Sequence, residues 1–233
     1  MKTQNVRNSR GPYKKSSKTR AKFIDSGIEV LTEEGYGGFS LRKVARKAGV
    51  SIGNLQHHFG SKQKLVDTMM ECITTEYFED FERLIASTKS PRHRLRRIIK
   101  LVVKDLKRKE TTLLFPELWS MANHEAGIQV LLDSMFNRYQ KMYVEIIELI
   151  NPELSPEQVE RASIFIAASL EGHLLFMGHG KKDEHQNESI AELAYWNFLH
   201  MIESGTIPDK SSDQLTMVGG PVADTSSSPR AKR

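Results

Sequence analysis

Cysteine is nearly absent from this chain: Cys72 is the one thiol in 233 residues. A single cysteine excludes an internal disulfide framework and suits a reducing compartment, with Cys72 itself expected in the core. Long apolar runs are absent too. The most apolar stretch, Ile164 to Met177, is interrupted by Glu171 and His173 and is too short to span a bilayer. Residues 1–22 are polar and basic, without the apolar segment of a secretory signal, so a cytoplasmic location and no membrane partner are expected. No stretch alternates apolar and polar residues as a half-buried strand does, and no internal repeat is evident. Catalytic signatures are missing: there is no Gly-rich phosphate loop, no HExxH and no GxSxG. The pair His57-His58 does not suggest a metal site. Neighbouring helical residues point about 100° apart, and no Cys, Asp or Glu stands at supporting spacing. Neither an enzyme nor a metal or cofactor protein is expected.

What remains is helix. With 39% hydrophobic residues the chain can bury a core, and its apolar positions recur at three- and four-residue steps. The spacing predicts a first helix over about Lys18–Glu34, stopped by Gly35. Ser61 caps a long helix carrying Leu65, Met69, Ile73, Tyr77, Phe81 and Leu84, and Ser90-Pro91 opens another. Further helices are expected over Thr112–Asn123, with Pro116 at a start or kink, over 125–150, and over Asn187–Glu203. Ser155-Pro156-Glu157-Gln158 reads as a capping box opening a helix that stops at Gly178 and Gly180. The fold class is all-α, with about nine helices.

Charge is unevenly spread. Residues 1–64 hold fourteen Lys/Arg against four Asp/Glu, whereas the remainder holds twenty against twenty-five, so a +10 segment joins a −5 body to give the net +5. That asymmetry is expected when only the first segment meets a polyanion. Residues 1–17 read as a flexible basic arm, idle or reaching DNA. The run Arg92, Arg94, Arg96, Arg97 and Lys100 reads as a solvated face. Residues 205–233, rich in Ser, Asp, Pro, Gly and Lys, read as disordered.

Within the basic segment, Phe39 to Lys64 has helix-turn-helix punctuation. Ser40 caps a helix with Leu41, Val44, Ala45 and Ala48 on one face. Gly49 ends it, and Ser51 caps a second helix anchored by Ile52, Leu55 and Phe59. In such a motif the second helix enters the DNA major groove with its N-terminal residues at base edges. Gly49-Val50-Ser51, Leu55, His58-Phe59, Ser61-Lys62 and Leu65, with Gly35-Tyr36, Phe39-Ser40-Leu41 and Val44-Ala45 upstream, resemble the DNA-binding signature of the tetracycline-repressor (TetR) family over residues 20–66. The family usually has tyrosine where Gln56 stands; its amide can donate to a phosphate instead or read an adenine edge.

The resemblance implies a three-helix DNA-binding domain at 18–66 and a helical effector-binding and dimerisation domain at 67–204. It implies a repressor released from a palindromic operator by a small-molecule effector. It makes Arg42, Ser51, Ile52, Gly53, Asn54 and His57 the base-facing candidates. Ser40, Gln56, His58 and Lys62 become candidates for phosphates, Lys62 with Lys64 at a helix N-terminus. The last two helices would pair across a two-fold axis, with Ala168 and Gly172 letting another helix approach. The effector would meet an apolar set of Phe115, Trp119, Met121, Met135, Tyr139, Tyr143, Phe165, Ser169, His173 and Phe176, with Glu117, His124 and Glu171 as further polar candidates. Carboxylates beside aromatic rings would admit a cation and histidines an acid, so effector identity stays open. The alternative is a helical ligand-binding or partner-docking protein whose basic segment merely solubilises.

Overall fold

In a computed structural model, residues 18–209 are described; the arm at 1–17 and the tail beyond 209 lie outside the described residues. Nine α-helices follow in chain order, with no strand among the described residues: α1 Lys18–Gly38, α2 Leu41–Ala48, α3 Ile52–Phe59, α4 Lys62–Ala86, α5 Pro91–Leu106, α6 Lys109–Ala122, α7 Ala126–Ile150, α8 Pro156–Met177 and α9 Asn187–Ser204. A short 3-10 turn, Glu184–Gln186, precedes α9.

Serines start most of these helices. The hydroxyls of Ser40, Ser51, Ser61, Ser90 and Ser155 each accept from a backbone N–H in the first turn that no helical carbonyl can reach. At Ser155 the Gln158 side chain returns the contact, completing the capping box. α1 breaks where the sequence places its stop: Gly35 is non-helical at φ 67° and ψ 174°, though helical turns resume to Gly38. α6 begins earlier than the sequence suggests, at Lys109, so Pro116 lies inside the helix, where its missing N–H costs one backbone bond.

α1, α2 and α3 pack into the N-terminal unit, and α4 leaves it to run beside α5 and α7. α5 is the centre of the body, touching α4, α6, α7, α8 and α9, with Leu95, Ile98, Ile99, Val102, Val103 and Leu106 buried. α6 reaches back to pack on α1, giving the body a second hold on the N-terminal unit besides α4. One continuous hydrophobic cluster runs through both units, from Phe23 to Ile207, and includes Cys72.

Two sequence expectations are corrected here. The basic run on α5 is not simply solvated: Arg96 and Lys100 both hold Glu192 of α9, at 2.7 and 2.6 Å, and Arg92 pairs with Glu203. These acids lie about a hundred residues away, beyond any local pattern. The tail, in turn, does not leave the fold at 205. Ile207 is buried, its carbonyl accepts from Gln158, and Asp209 accepts from Ser155, so this segment straps the start of α8 to the end of α9.

Candidate DNA interface and effector site

The α2–α3 corner is built by one glycine. Gly49 takes φ 66° and ψ 38°, its N–H donates to the Arg46 carbonyl, and the Val50 N–H reaches back to Ala45, which turns the chain into Ser51. Leu55 and Phe59 are buried and hold α3 from beneath. Ser51, Ile52, Gly53, Asn54, Gln56, His57 and His58 are exposed on the remaining surface of α3. Among the described residues nothing lies within 4 Å of a Cβ added at Gly53, so its face is open to close approach by a large ligand.

The neighbouring charges sort themselves. Lys43 pairs with Glu34, and Lys47 with Glu33 and Glu29, so these two lysines brace α2 on α1. Arg42 is exposed on α2 and enters no ion pair among the described residues. Ser40 spends one of its two oxygen lone pairs on the Lys43 N–H and keeps a hydroxyl hydrogen to donate. The His58 ring packs edge-on to Phe23, 5.3 Å between centroids. Lys62 places its ammonium 3.8 Å from the centre of the Tyr36 ring, and partial burial there lowers its pKa.

The apolar set of the body divides in two. Inside, α7 contributes Met135, Tyr139 and Tyr143, all buried, and Phe115 of α6 is buried beside them. The Tyr143 hydroxyl donates to that of Tyr139 at 2.9 Å. Tyr77 and Phe81 of α4 complete this cluster, Tyr77 lying 6.1 Å from Phe115 and 6.4 Å from Tyr139, and Phe81 5.9 Å from Tyr139. Trp119 packs partly buried against the core, its indole N–H buried without a hydrogen-bond partner among the described residues. Glu171 is the carboxylate of this region. Burial pushes its pKa up to about 7, and its charge in turn adds to the burial that raises Tyr77, Tyr139 and Tyr143.

Outside stand four residues of the expected effector set, Phe165, Ser169, His173 and Phe176. Phe165 is 55% and Phe176 68% exposed on the outer face of α8. Ser169 and His173 lie on the same face, their side chains bonded to the carbonyls one turn back, and with Phe176 they line an open groove of about 460 Å³ between α8 and the turn before α9. The expected set divides because α8 is apolar nearly all round. Ile166, Leu170 and Leu174 face the core one turn apart, and Phe165, Ala168, Gly172 and Phe176 follow the same period on the opposite side. Glu117 and His124 also stand apart from the ring cluster: Glu117 accepts from the Tyr36 backbone, and His124 is exposed between α6 and α7. From the sequence, Tyr77 and Phe81 are core positions of a long helix and no more. Their i,i+4 aromatic pairing was the available sign of a second ring-bearing wall.

No helix among the described residues is long and apolar enough to cross a membrane. An exposed, capped helix α3 on a buried anchor, joined by α4 to a helical body with a ring-lined interior, defines a helix-turn-helix protein with a second, all-helical unit. Residues 23–69 match the profile of bacterial regulatory proteins of the tetR family, and residues 91–194 match that of the C-terminal part of BetI-type transcriptional repressors. The chain belongs to the TetR family of transcriptional regulators.

A relative from Burkholderia ambifaria, the HTH-type transcriptional regulator BetI, is 32% identical over 117 residues, 48% of this chain and 59% of the relative. The BetI of Burkholderia thailandensis is 27% identical over 158 residues, 66% of this chain and 78% of its own. The chain thus spans about three-fifths of the length of the first of these. A transcriptional regulator from Rhodococcus sp. Rha1 superposes with a TM-score of 0.66 at 18% identity, over 80% of this chain and 96% of its own. A protein from Saccharomonospora viridis, described as a transcriptional regulator in complex with choline, superposes equally well at 15% identity, with the same coverage. At such identities the likeness speaks for the fold.

Proposed function

We propose that the protein is a homodimeric, sequence-specific DNA-binding repressor, released from a palindromic operator by a small organic cation. The observation that carries the DNA reading is the surface of α3, where Ser51, Ile52, Gly53, Asn54, Gln56 and His57 stand exposed together above buried Leu55 and Phe59. Arg42 and the Ser51–Asn54 turn, with His57, are assigned to base edges, Arg42 to a guanine whose O6 and N7 its fork matches. Ser40, Gln56, His58 and Lys62 are assigned to phosphates, which fix register without reading sequence. The compartment is the cytoplasm, where bacterial DNA lies.

The dimer is assigned to the outer faces of α8 and α9. Ile164, Phe165, Leu175 and Phe176 on α8 and Leu193 and Trp196 on α9 are each at least half exposed, an apolar area that a partner copy would cover. Two recognition helices would then meet successive major grooves roughly 34–36 Å apart.

The effector is assigned to the cluster of Tyr77, Tyr139, Tyr143 and Glu171. Three neutral rings and one carboxylate are the chemistry of an organic ammonium site, since ring faces and a carboxylate both attract positive charge. Choline in the Saccharomonospora viridis structure is in keeping with this class. The site spans α4, α7 and α8, so a ligand that parts them moves α4, whose first residue is Lys62 beside the DNA-binding unit. DNA affinity then falls by the effector's differential affinity for the two arrangements.

The test is a titration of the full chain into duplexes from upstream of its own gene, at several salt concentrations, with and without choline. Salt-dependent, sequence-selective binding that choline weakens is expected. No salt-dependent affinity for any duplex would overturn the reading in favour of a helical ligand-binding protein.

A further inference from the structure

The body holds the DNA-binding unit at a second place besides α4, and the place is a broken helix. At Gly35, ψ 174° turns the next amide away from the α1 axis, so the Tyr36 N–H loses its helical acceptor. It donates instead to Glu117 Oε2 of α6 at 2.7 Å, across 81 residues of sequence. The carboxylate sits flush against the break: a Cβ added at Gly35 would stand 3.1 Å from Glu117 Oε1, and φ 67° disfavours a side chain there in any case.

Tyr36 is also tied to every element that presents α3. Its ring carries the Lys62 ammonium at the start of α4. Its carbonyl accepts from the Phe39 N–H at 3.1 Å, next to the Ser40 cap that opens α2. Phe39 is buried in the shared core. One residue thus joins α6, α4 and the entrance to α2 through its amide, its ring and its carbonyl.

We infer that Glu117 is a positioning residue for DNA recognition: its carboxylate, by holding the Tyr36 amide at the α1 break, couples α6 of the body to the recognition helix by a path that does not pass along α4. The inference rests on the DNA-binding reading above. A hydrogen bond between one helix and an amide freed at a neighbour's break is discrete, either formed or broken, which is the property a coupling element needs. Coupling is reciprocal, so DNA bound at α3 must alter α6 just as an event at α6 alters α3.

Reciprocity supplies a test that needs no effector. The full-length protein is mixed with the upstream duplex it binds, and amide exchange across Lys109–Ala122 is followed by mass spectrometry in the wild type, Glu117→Leu and Glu117→Gln. DNA is expected to slow exchange in α6 of the wild type and of Glu117→Gln, whose amide oxygen still accepts. It is expected to leave α6 of Glu117→Leu unchanged, and that variant to bind the duplex about fivefold more weakly. Should Glu117→Leu fail to fold, Gly35→Ala strains the same contact from the other side and carries the same expectation.

A wild-type protein that binds the duplex with no change in α6 overturns the inference, as does a Glu117→Leu that keeps the full change. A Glu117→Gln that behaves like Glu117→Leu overturns the acceptor role. In each of these cases DNA binding itself stands. Failure to bind any duplex overturns both readings.

Discussion

At the scale of single residues, Gln56 and Glu171 give sharp expectations. Gln56 stands exposed on α3 where the family pattern has tyrosine. If it grips a phosphate, Gln56→Ala weakens operator and random duplex by the same factor, and Gln56→Tyr restores both; fluorescence anisotropy on the two DNAs reads this directly. A loss confined to the operator would make it a base reader. Glu171 gives a pH signature. Its folded pKa of about 7 lies above the ordinary carboxylate value, so its contribution to stability is full below about pH 4 and is lost as pH rises through 7. Glu171→Gln should therefore match the wild type in denaturant melts at pH 4 to 5 and exceed it at pH 8, by on the order of 1–3 kcal/mol. Cation binding follows the opposite slope. At the proposed ammonium site choline is held by the charged carboxylate, so its affinity should rise between pH 6 and 8 in the wild type and stay flat in Glu171→Gln.

At the scale of elements, legibility depended on whether the deciding partner was local. Serine caps, the Gly49 turn and the Gly35 break involve residues within a few positions of each other, and the sequence shows each of them. Side choice on α8 did not follow the same rule. A helix apolar all round has no face that periodicity can single out, and only packing against α5 and α7 separated Ile166, Leu170 and Leu174 from Phe165 and Phe176. The outward set predicts an interface. Phe165→Asp or Trp196→Asp should weaken self-association by about thirtyfold or more, since a buried aromatic anchor is worth roughly 2 kcal/mol or above. Sedimentation across micromolar concentrations measures it, and a wild type that stays monomeric there would remove the two-fold geometry altogether.

Over the whole molecule, the basic first segment and the mildly acidic body separate tasks. Lys43 and Lys47 are consumed in bracing α2 on α1, so positive charge for a polyanion must come from other residues of that segment, Arg42 and the arm among them. Residues 1–17 contain Lys2, Arg7, Arg10, Lys14 and Lys15. Deleting them should flatten the dependence of log affinity on log salt by about 0.9 for each phosphate that the arm neutralises, without changing which duplex is preferred. An unchanged slope would assign the arm no part in binding.

The sequence by itself determined the all-α class, the helix-turn-helix and the family, because caps, turns and a charged segment are written in neighbouring residues. The tertiary structure decided the rest. It brought Tyr77 of α4, Tyr139 of α7 and Glu171 of α8 together, turned Phe165 and Phe176 outward, and set Glu117 against the Tyr36 amide. Each of those outcomes depends on which helices pack together, and helix packing joins residues whose separation along the chain leaves no local trace.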